Sequence, residues 1–183
     1  IEKLGRPTVS ALTATATPEV RQDIQDSLHL RDPALFISGF ARPNLSFNIS
    51  PVSSNVDKFS HIMELVHQHR SGIVYCATRK SVEKVAKRLS EENIQHVTYH
   101  GGMDSDTRNQ MQNRFIQGEI DIAVATNAFG MGIDRADIRF IAHFEMPGSI
   151  EAYYQEIGRA GRDGKPADTV LFFGLSDLIK RQR

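Results

Sequence analysis

The sequence predicts an α/β fold: a three-layer sandwich in which helices cover both faces of a mostly parallel sheet. Three observations carry that prediction. Short runs rich in β-branched and apolar residues alternate with segments of helical period along the chain. The inner runs, such as IVYCAT (73–78) and DIAVAT (121–126), are continuously apolar, as strands covered on both faces are. A length of 183 residues suits one domain with a proper core and a small appendage.

The elements follow in order. VSAL (9–12) has the composition of a buried strand. Thr17 can cap a helix with Pro18 in its first turn, and Val20, Ile24 and Leu28 then share one face. LFIS (35–38) and LSFNIS (45–50) are strand-like and are separated by the turn-rich GFARPN. Phe59, Ile62, Met63 and Val66 form the apolar stripe of a helix around 57–70. IVYCAT is a strand, and Val82, Val85, Ala86 and Leu89 mark a helix over 80–91. HVTYH (96–100) leads into a helix around 105–117, and DIAVAT runs into a loop containing glycine. RFIAHF (139–144) precedes a helix from about Ser149, and TVLFFGL (169–175) closes the set.

Charge narrows the function only a little. Lys and Arg number 22, as do Asp and Glu, so any contact with nucleic acid must come from a local patch rather than a global field. Cys76 is the sole cysteine, which excludes an internal disulfide and fits a reducing compartment. No apolar run approaches the roughly 18 residues of a membrane helix, so no membrane partner is expected. The opening IEKLGRPTV has neither an initiator Met nor the apolar core of a signal peptide. It reads as mid-chain sequence, and a longer parent protein is expected.

In parallel sheets ligands bind beyond the carboxyl ends of the strands, so chemistry is sought in the residues that follow each one. TATAT (13–17) is a run of small hydroxyl and methyl side chains that also suits a strand end and a helix cap. ATRKS (77–81) could donate hydroxyl and guanidinium bonds, or simply cap the next helix. His100-Gly101-Gly102 lets backbone approach a ligand, and is equally an adequate turn. After Thr126, the loop NAFGMGIDRADI carries Gly130, Gly132, Asp134 and Arg135. Its exposed backbone N–H groups could cradle a phosphate, or it could be a plain crossover. The dinucleotide fingerprint needs a third glycine where Arg135 stands. In QEIGRAGRDG (155–164), Gln155, Glu156, Arg159 and Arg162 fall largely on one side of a helix end, and Gly158, Gly161 and Gly164 oppose a long helix. Guanidinium groups match phosphate oxygens; pairing with carboxylates such as Asp163 is the alternative.

One absence ties these parts together. The phosphate loop G-x-x-x-x-G-K-S/T does not occur, since Gly164-Lys165 is followed by Pro166, and no D-E-x-H or D-E-A-D box is present. Arginines that face an anion without a phosphate cradle look like half of a site.

The loops SALTATAT, IVYCATRKSVE, YHGGM, VATNAFGMGIDRADIRFIAHF and YYQEIGRAGRDG resemble helicase motifs III, IV, the step after it, V and VI. Their wording is similar to RecQ-type DNA helicases of superfamily 2 over nearly the whole chain. DEAD-box RNA helicases share the plan, but their last motif usually opens with His where this chain has Gln155.

The resemblance implies a RecA-like, P-loop NTPase-type helicase C-terminal lobe over residues 31–183, preceded by the end of a first RecA-like lobe and a connecting helix over 1–30. ATP and Mg²⁺ would be held mainly by that first lobe of the same protein. Single-stranded and partially duplex DNA would cross the top of both. Arg162 would be the arginine finger, and Arg159 would bind a neighbouring phosphate oxygen or brace it. Gln155, Asp134 and Gly132 would belong to the nucleotide side. Thr78, Arg79, His100 and Thr126 would touch the DNA backbone, and Thr13 and Thr15 would couple hydrolysis to movement. The family translocates 3′ to 5′ and unwinds duplexes in repair and recombination, in the nucleoid or the nucleus. Its zinc domain and winged helix would lie beyond Arg183, with no metal site in this chain, and these residues alone should hydrolyse no ATP. The alternatives are an RNA helicase or remodeller of the same superfamily, and a non-catalytic nucleic-acid-binding adaptor.

Overall fold

The computed structural model describes residues 5, 7–13, 16–37, 41–130 and 132–174. The chain forms two compact units, Ile1–Ala41 and Arg42–Arg183.

In the first unit, α1 (Pro18–Ser27) begins as its sequence requires: Thr17 accepts a hydrogen bond from the Val20 N–H at 3.3 Å and Pro18 occupies the first turn. The strands expected at VSAL and LFIS do not form over the described residues 9–12 and 35–37. Both runs have the right composition, but a strand also needs a neighbour for its backbone groups, and the described residues of this unit contain no other strand. Leu12 and Phe36 are correspondingly 88% and 94% exposed. Thr15 lies outside the described residues.

The second unit holds six parallel strands: β1 (Leu45–Pro51), β2 (Gly72–Tyr75), β3 (Val97–Tyr99), β4 (Ile122–Ala125), β5 (Phe140–His143) and β6 (Ala167–Phe173), in the order β1-β6-β5-β2-β4-β3. The four helices between them are α2 (Asn55–Gln68), α3 (Arg79–Glu91), α4 (Ser105–Ile116) and α5 (Ile150–Ile157). Each starts at a side-chain cap supplied by Ser54, Thr78, Asp104 or Ser149. On one face of the sheet, α2 and α3 pack Ile62, Leu65, Val82, Val85 and Leu89 against Val74, Val124 and Phe140. On the other, Phe115 of α4, Ile157 of α5 and Phe129 and Ile133 of the β4–β5 loop pack against Ile73, Tyr75, Ala123 and Ile141. This is the three-layer α/β sandwich with a parallel sheet that the alternation of elements predicts. β1 is an edge strand, so Phe47 and Ile49 remain exposed.

Arg135 anchors the long β4–β5 crossover. Its side chain is 5% exposed, bonds Asp137 at 2.7 Å and the Phe115 and Ile120 carbonyls at 2.9 and 3.2 Å, and also pairs with Asp121. Burial works against its charge, but the two carboxylates outweigh burial and hold its pKa above the ordinary arginine value. No described helix is long and apolar enough to cross a membrane.

Candidate nucleotide and nucleic-acid interface

β2, β4 and β3 are neighbours in the sheet, so the loops at their carboxyl ends share one edge. Thr78, Arg79, His100 and Thr126 lie along it. Thr78 is the cap of α3: its hydroxyl accepts the Ser81 N–H at 3.1 Å and pairs with the Ser81 hydroxyl at 2.9 Å. The capping reading therefore holds, and it leaves Thr78 exposed at the start of the helix. Arg79 joins this loop to the next, because its guanidinium lies where a Cβ on Gly102 would stand. Only glycine permits that approach. His100 closes the turn by accepting the Gly102 N–H on Nδ1 at 3.2 Å. Thr126 is buried, and its backbone ties the β4 loop to β3 through the Tyr99 carbonyl at 3.0 Å. Glu145, two residues past the end of β5, is a site residue that the sequence reading does not single out. It accepts the Ala77 N–H at 2.8 Å and the Ser81 hydroxyl at 2.7 Å, fixing the loop that carries Thr78 and Arg79. Its signal was available: a lone acid just beyond an apolar strand.

A second group surrounds the end of α5. The helix stops at Ile157 with Gly158 as its cap, and the turn that follows presents Arg159 and Arg162 to the β4–β5 loop. Arg159 donates Nη1 to the Gly130 carbonyl, and its buried Nε has no hydrogen-bond partner among the described residues. A Cβ at Gly130 would overlap this guanidinium. The next carbonyl back, that of Phe129, accepts the buried Tyr75 hydroxyl at 2.9 Å. Burial pushes the Tyr75 pKa up, and the positive charge of Arg159 opposes that rise.

Arg162 donates Nη1 to the Ile133 carbonyl at 3.1 Å and to Asp134 at 3.2 Å. This pair lies at the surface: the Arg162 side chain is 37% exposed and that of Asp134 is 92% exposed. Gly132, with φ of 81°, supplies the left-handed turn just before them. Asp163, the carboxylate weighed as a partner for both arginines, instead takes Arg139 at 2.6 Å. The hydrogen bond from Arg139 holds its carboxyl below the ordinary range.

Gln155 is exposed on α5, and no hydrogen bond joins it to either arginine among the described residues. Glu156 turns the opposite way and binds buried His143 at 2.7 Å. Thr13 lies in the first unit. Among the described residues no cluster of three or more His, Cys, Asp or Glu could hold a metal ion. Cys76 is buried, and burial pushes its thiol pKa up, which opposes a nucleophilic role.

The parallel sheet and loops define a RecA-like helicase lobe. The chain belongs to the helicase conserved C-terminal domain family, which matches residues 57–164. In particular, it is RecQ-like across nearly its full length. It is 44% identical over 174 residues to the ATP-dependent DNA helicase RecQ of Bacillus subtilis, covering 95% of this chain and 29% of that protein. Over 185 residues it is 40% identical to the RecQ-like DNA helicase blm-1 of Caenorhabditis elegans, covering 100% of this chain and 19% of that protein. The chain thus spans less than a third of either relative. Among solved structures, Dbp5 of Saccharomyces cerevisiae bound to RNA and ADP BeF3 is similar with a TM-score of 0.76 at 21% identity, covering 92% of this chain and 45% of that one. That likeness concerns the fold. The E. coli DEAD-box protein SrmB bound to regulator of ribonuclease activity A gives a TM-score of 0.64 at 26% identity, over 73% of this chain and 79% of that one.

Proposed function

We propose that this chain is the second motor lobe of an ATP-dependent DNA helicase of RecQ type, with residues before it completing a first lobe. The observation that carries the reading is the Arg162–Asp134 pair. An ion pair exposed to water contributes little, so Arg162 can exchange an exposed carboxylate for a phosphate at small cost. The chain has no phosphate loop of its own, so that phosphate is seated on another lobe.

In this mechanism Arg162 neutralises charge that develops on the γ-phosphoryl group during transfer, an effect worth about 10³–10⁵ in turnover among phosphoryl-transfer enzymes. Arg159, locked on the Gly130 carbonyl, braces the loop that carries the finger or binds a neighbouring phosphate oxygen. Asp134 holds Arg162 when the phosphate is gone, and Gln155 faces the lobe interface. ATP and Mg²⁺ are held mainly by the first lobe, and Thr13 and Thr15 couple hydrolysis to movement. The arginines favour a closed form only while the γ-phosphate is present, so hydrolysis releases the lobes. Thr78, Arg79, His100 and the Thr126 loop grip the DNA backbone without regard to sequence. Each cycle then advances the strand 3′ to 5′ and opens the duplex during repair and recombination, in the compartment that holds the DNA.

The relatives that support this reading are named as DNA helicases, which favours DNA over RNA and a motor over an inert adaptor. The test is unwinding by the intact protein on 3′-tailed DNA and on an equivalent RNA duplex. DNA unwinding that requires ATP is expected. Preference for RNA, or binding without turnover, would reject the reading. The 183 residues alone should show no magnesium-dependent hydrolysis.

A further inference from the structure

The two arginines leave the backbone from the turn after α5, and that turn is held from a distant part of the chain. Arg42, at the start of the second unit, is half-buried and donates Nη1 to the Gly158 carbonyl at 3.2 Å. Its Nη2 reaches the Ala160 carbonyl at 2.7 Å and the Gly161 carbonyl at 3.1 Å. Asn44, two residues on, donates its amide to Gly161 at 2.8 Å and to Lys165 at 2.9 Å. Arg159 lies between the first two of the carbonyls held by Arg42, and Arg162 follows the last of them.

Of these carbonyls, that of Gly158 caps α5, where carbonyls lack intrahelical donors and a cation is favoured. Arg42 meets both needs with one planar fork, a geometry that a lysine cannot reproduce. Among the described residues no hydrogen bond joins Arg42 or Asn44 to the side chain of Arg159 or Arg162. The clamp acts on the backbone that aims them.

We propose that Arg42 is a positioning residue for nucleotide hydrolysis, fixing the α5 turn so that both guanidinium groups are held in register with the triphosphate. This rests on the reading of Arg162 as a phosphate contact. A group that reacts across a cleft must be placed closely, and an error of about 1 Å in a catalytic group costs on the order of 10²-fold. Arg42 then affects the rate of hydrolysis while leaving nucleotide and DNA affinity nearly alone.

The experiment uses the intact protein with Arg42→Lys, which keeps the charge and loses the fork. Turnover of ATP, KM for ATP, affinity for a single-stranded oligonucleotide and Tm are measured together. The expected result is a fall in kcat of about 10- to 100-fold, with KM and DNA affinity within about twofold of the parent. Asn44→Ala, which removes two milder bonds from the same turn, should lower kcat in the same pattern but less, and keeps the proposal testable if Arg42→Lys fails to fold. A kcat within about twofold of the parent for the folded variants would overturn the proposal. So would a fall in Tm accompanied by normal kcat per active site, the signature of a purely structural role. An Arg162→Ala arm separates the two ideas. Loss of turnover there with normal Arg42→Lys and Asn44→Ala rejects the positioning role alone, whereas normal turnover in Arg162→Ala rejects the phosphate contact on which it rests.

Discussion

The guanidinium of Arg159 occupies the space that a side chain at Gly130 would need, while it donates to the Gly130 carbonyl. The two residues are 29 apart in sequence and meet only because α5 ends beside the β4–β5 loop. Gly130→Ala should therefore expel Arg159 without changing its chemistry. The expected outcome in the intact protein is an ATPase defect close to that of Arg159→Ala, with DNA affinity retained. Steady-state kinetics of the two variants side by side checks this, and a Gly130→Ala enzyme of normal turnover contradicts it.

Arg79 and Gly102 make the corresponding close approach on the strand-end edge. A phosphate contact there would be electrostatic and indifferent to sequence. Arg79→Ala should weaken binding to unrelated oligonucleotides by a similar factor. The slope of log affinity against log salt should fall by about one contact, roughly 0.7 for a single strand. Titrations at several salt concentrations decide it, and an unchanged slope removes Arg79 from the phosphate path.

Arg135 stands near both groups in sequence but acts in the fold. Its removal takes a donor from the Phe115 and Ile120 carbonyls, at about 1–3 kcal/mol for a buried group left unsatisfied, while Asp121 and Asp137 are partly open to water. Arg135→Leu should lower the denaturant midpoint by a matching amount. A midpoint equal to the parent's would show that the clasp contributes nothing.

Two carboxylates link stability to pH. The Arg135 hydrogen bond holds Asp137 below its ordinary value, and the Arg139 hydrogen bond does the same for Asp163. With folded values depressed, both contribute stability above the unfolded carboxylate pKa, about 3.9, and lose it as pH falls through the folded value. The denaturant midpoint of the parent should thus drop on acidification below about pH 4. The double variant Asp137→Asn/Asp163→Asn should lose less over that range. Equal slopes for both proteins would contradict the linkage.

How far the sequence reveals this molecule depends on whether the deciding interaction is local. Ile73 to Tyr75 and Ile122 to Ala125 are buried on both faces, and their unbroken apolar runs announce that. Thr17, Thr78 and Ser149 cap helices through bonds three residues long, so those starts are readable by eye. VSAL and LFIS misled because composition says nothing about a pairing partner. Arg42 could not be read as a clamp, because its acceptors lie 116 to 119 residues away. Glu156 looked like a member of the arginine face, yet its side chain answers to His143 on a buried strand. Residue types and order disclosed the arginines; only the fold discloses that Asp163 belongs to Arg139 and Asp134 to Arg162.

On the proposed reading, Arg162 completes a phosphate site seated on another lobe. The most direct test of that claim is the ATP turnover of the intact protein carrying Arg162→Ala, measured at saturating single-stranded DNA alongside DNA affinity. Turnover should fall by about 10³-fold or more while DNA affinity stays near that of the parent. Near-normal turnover with the same DNA affinity would contradict the claim.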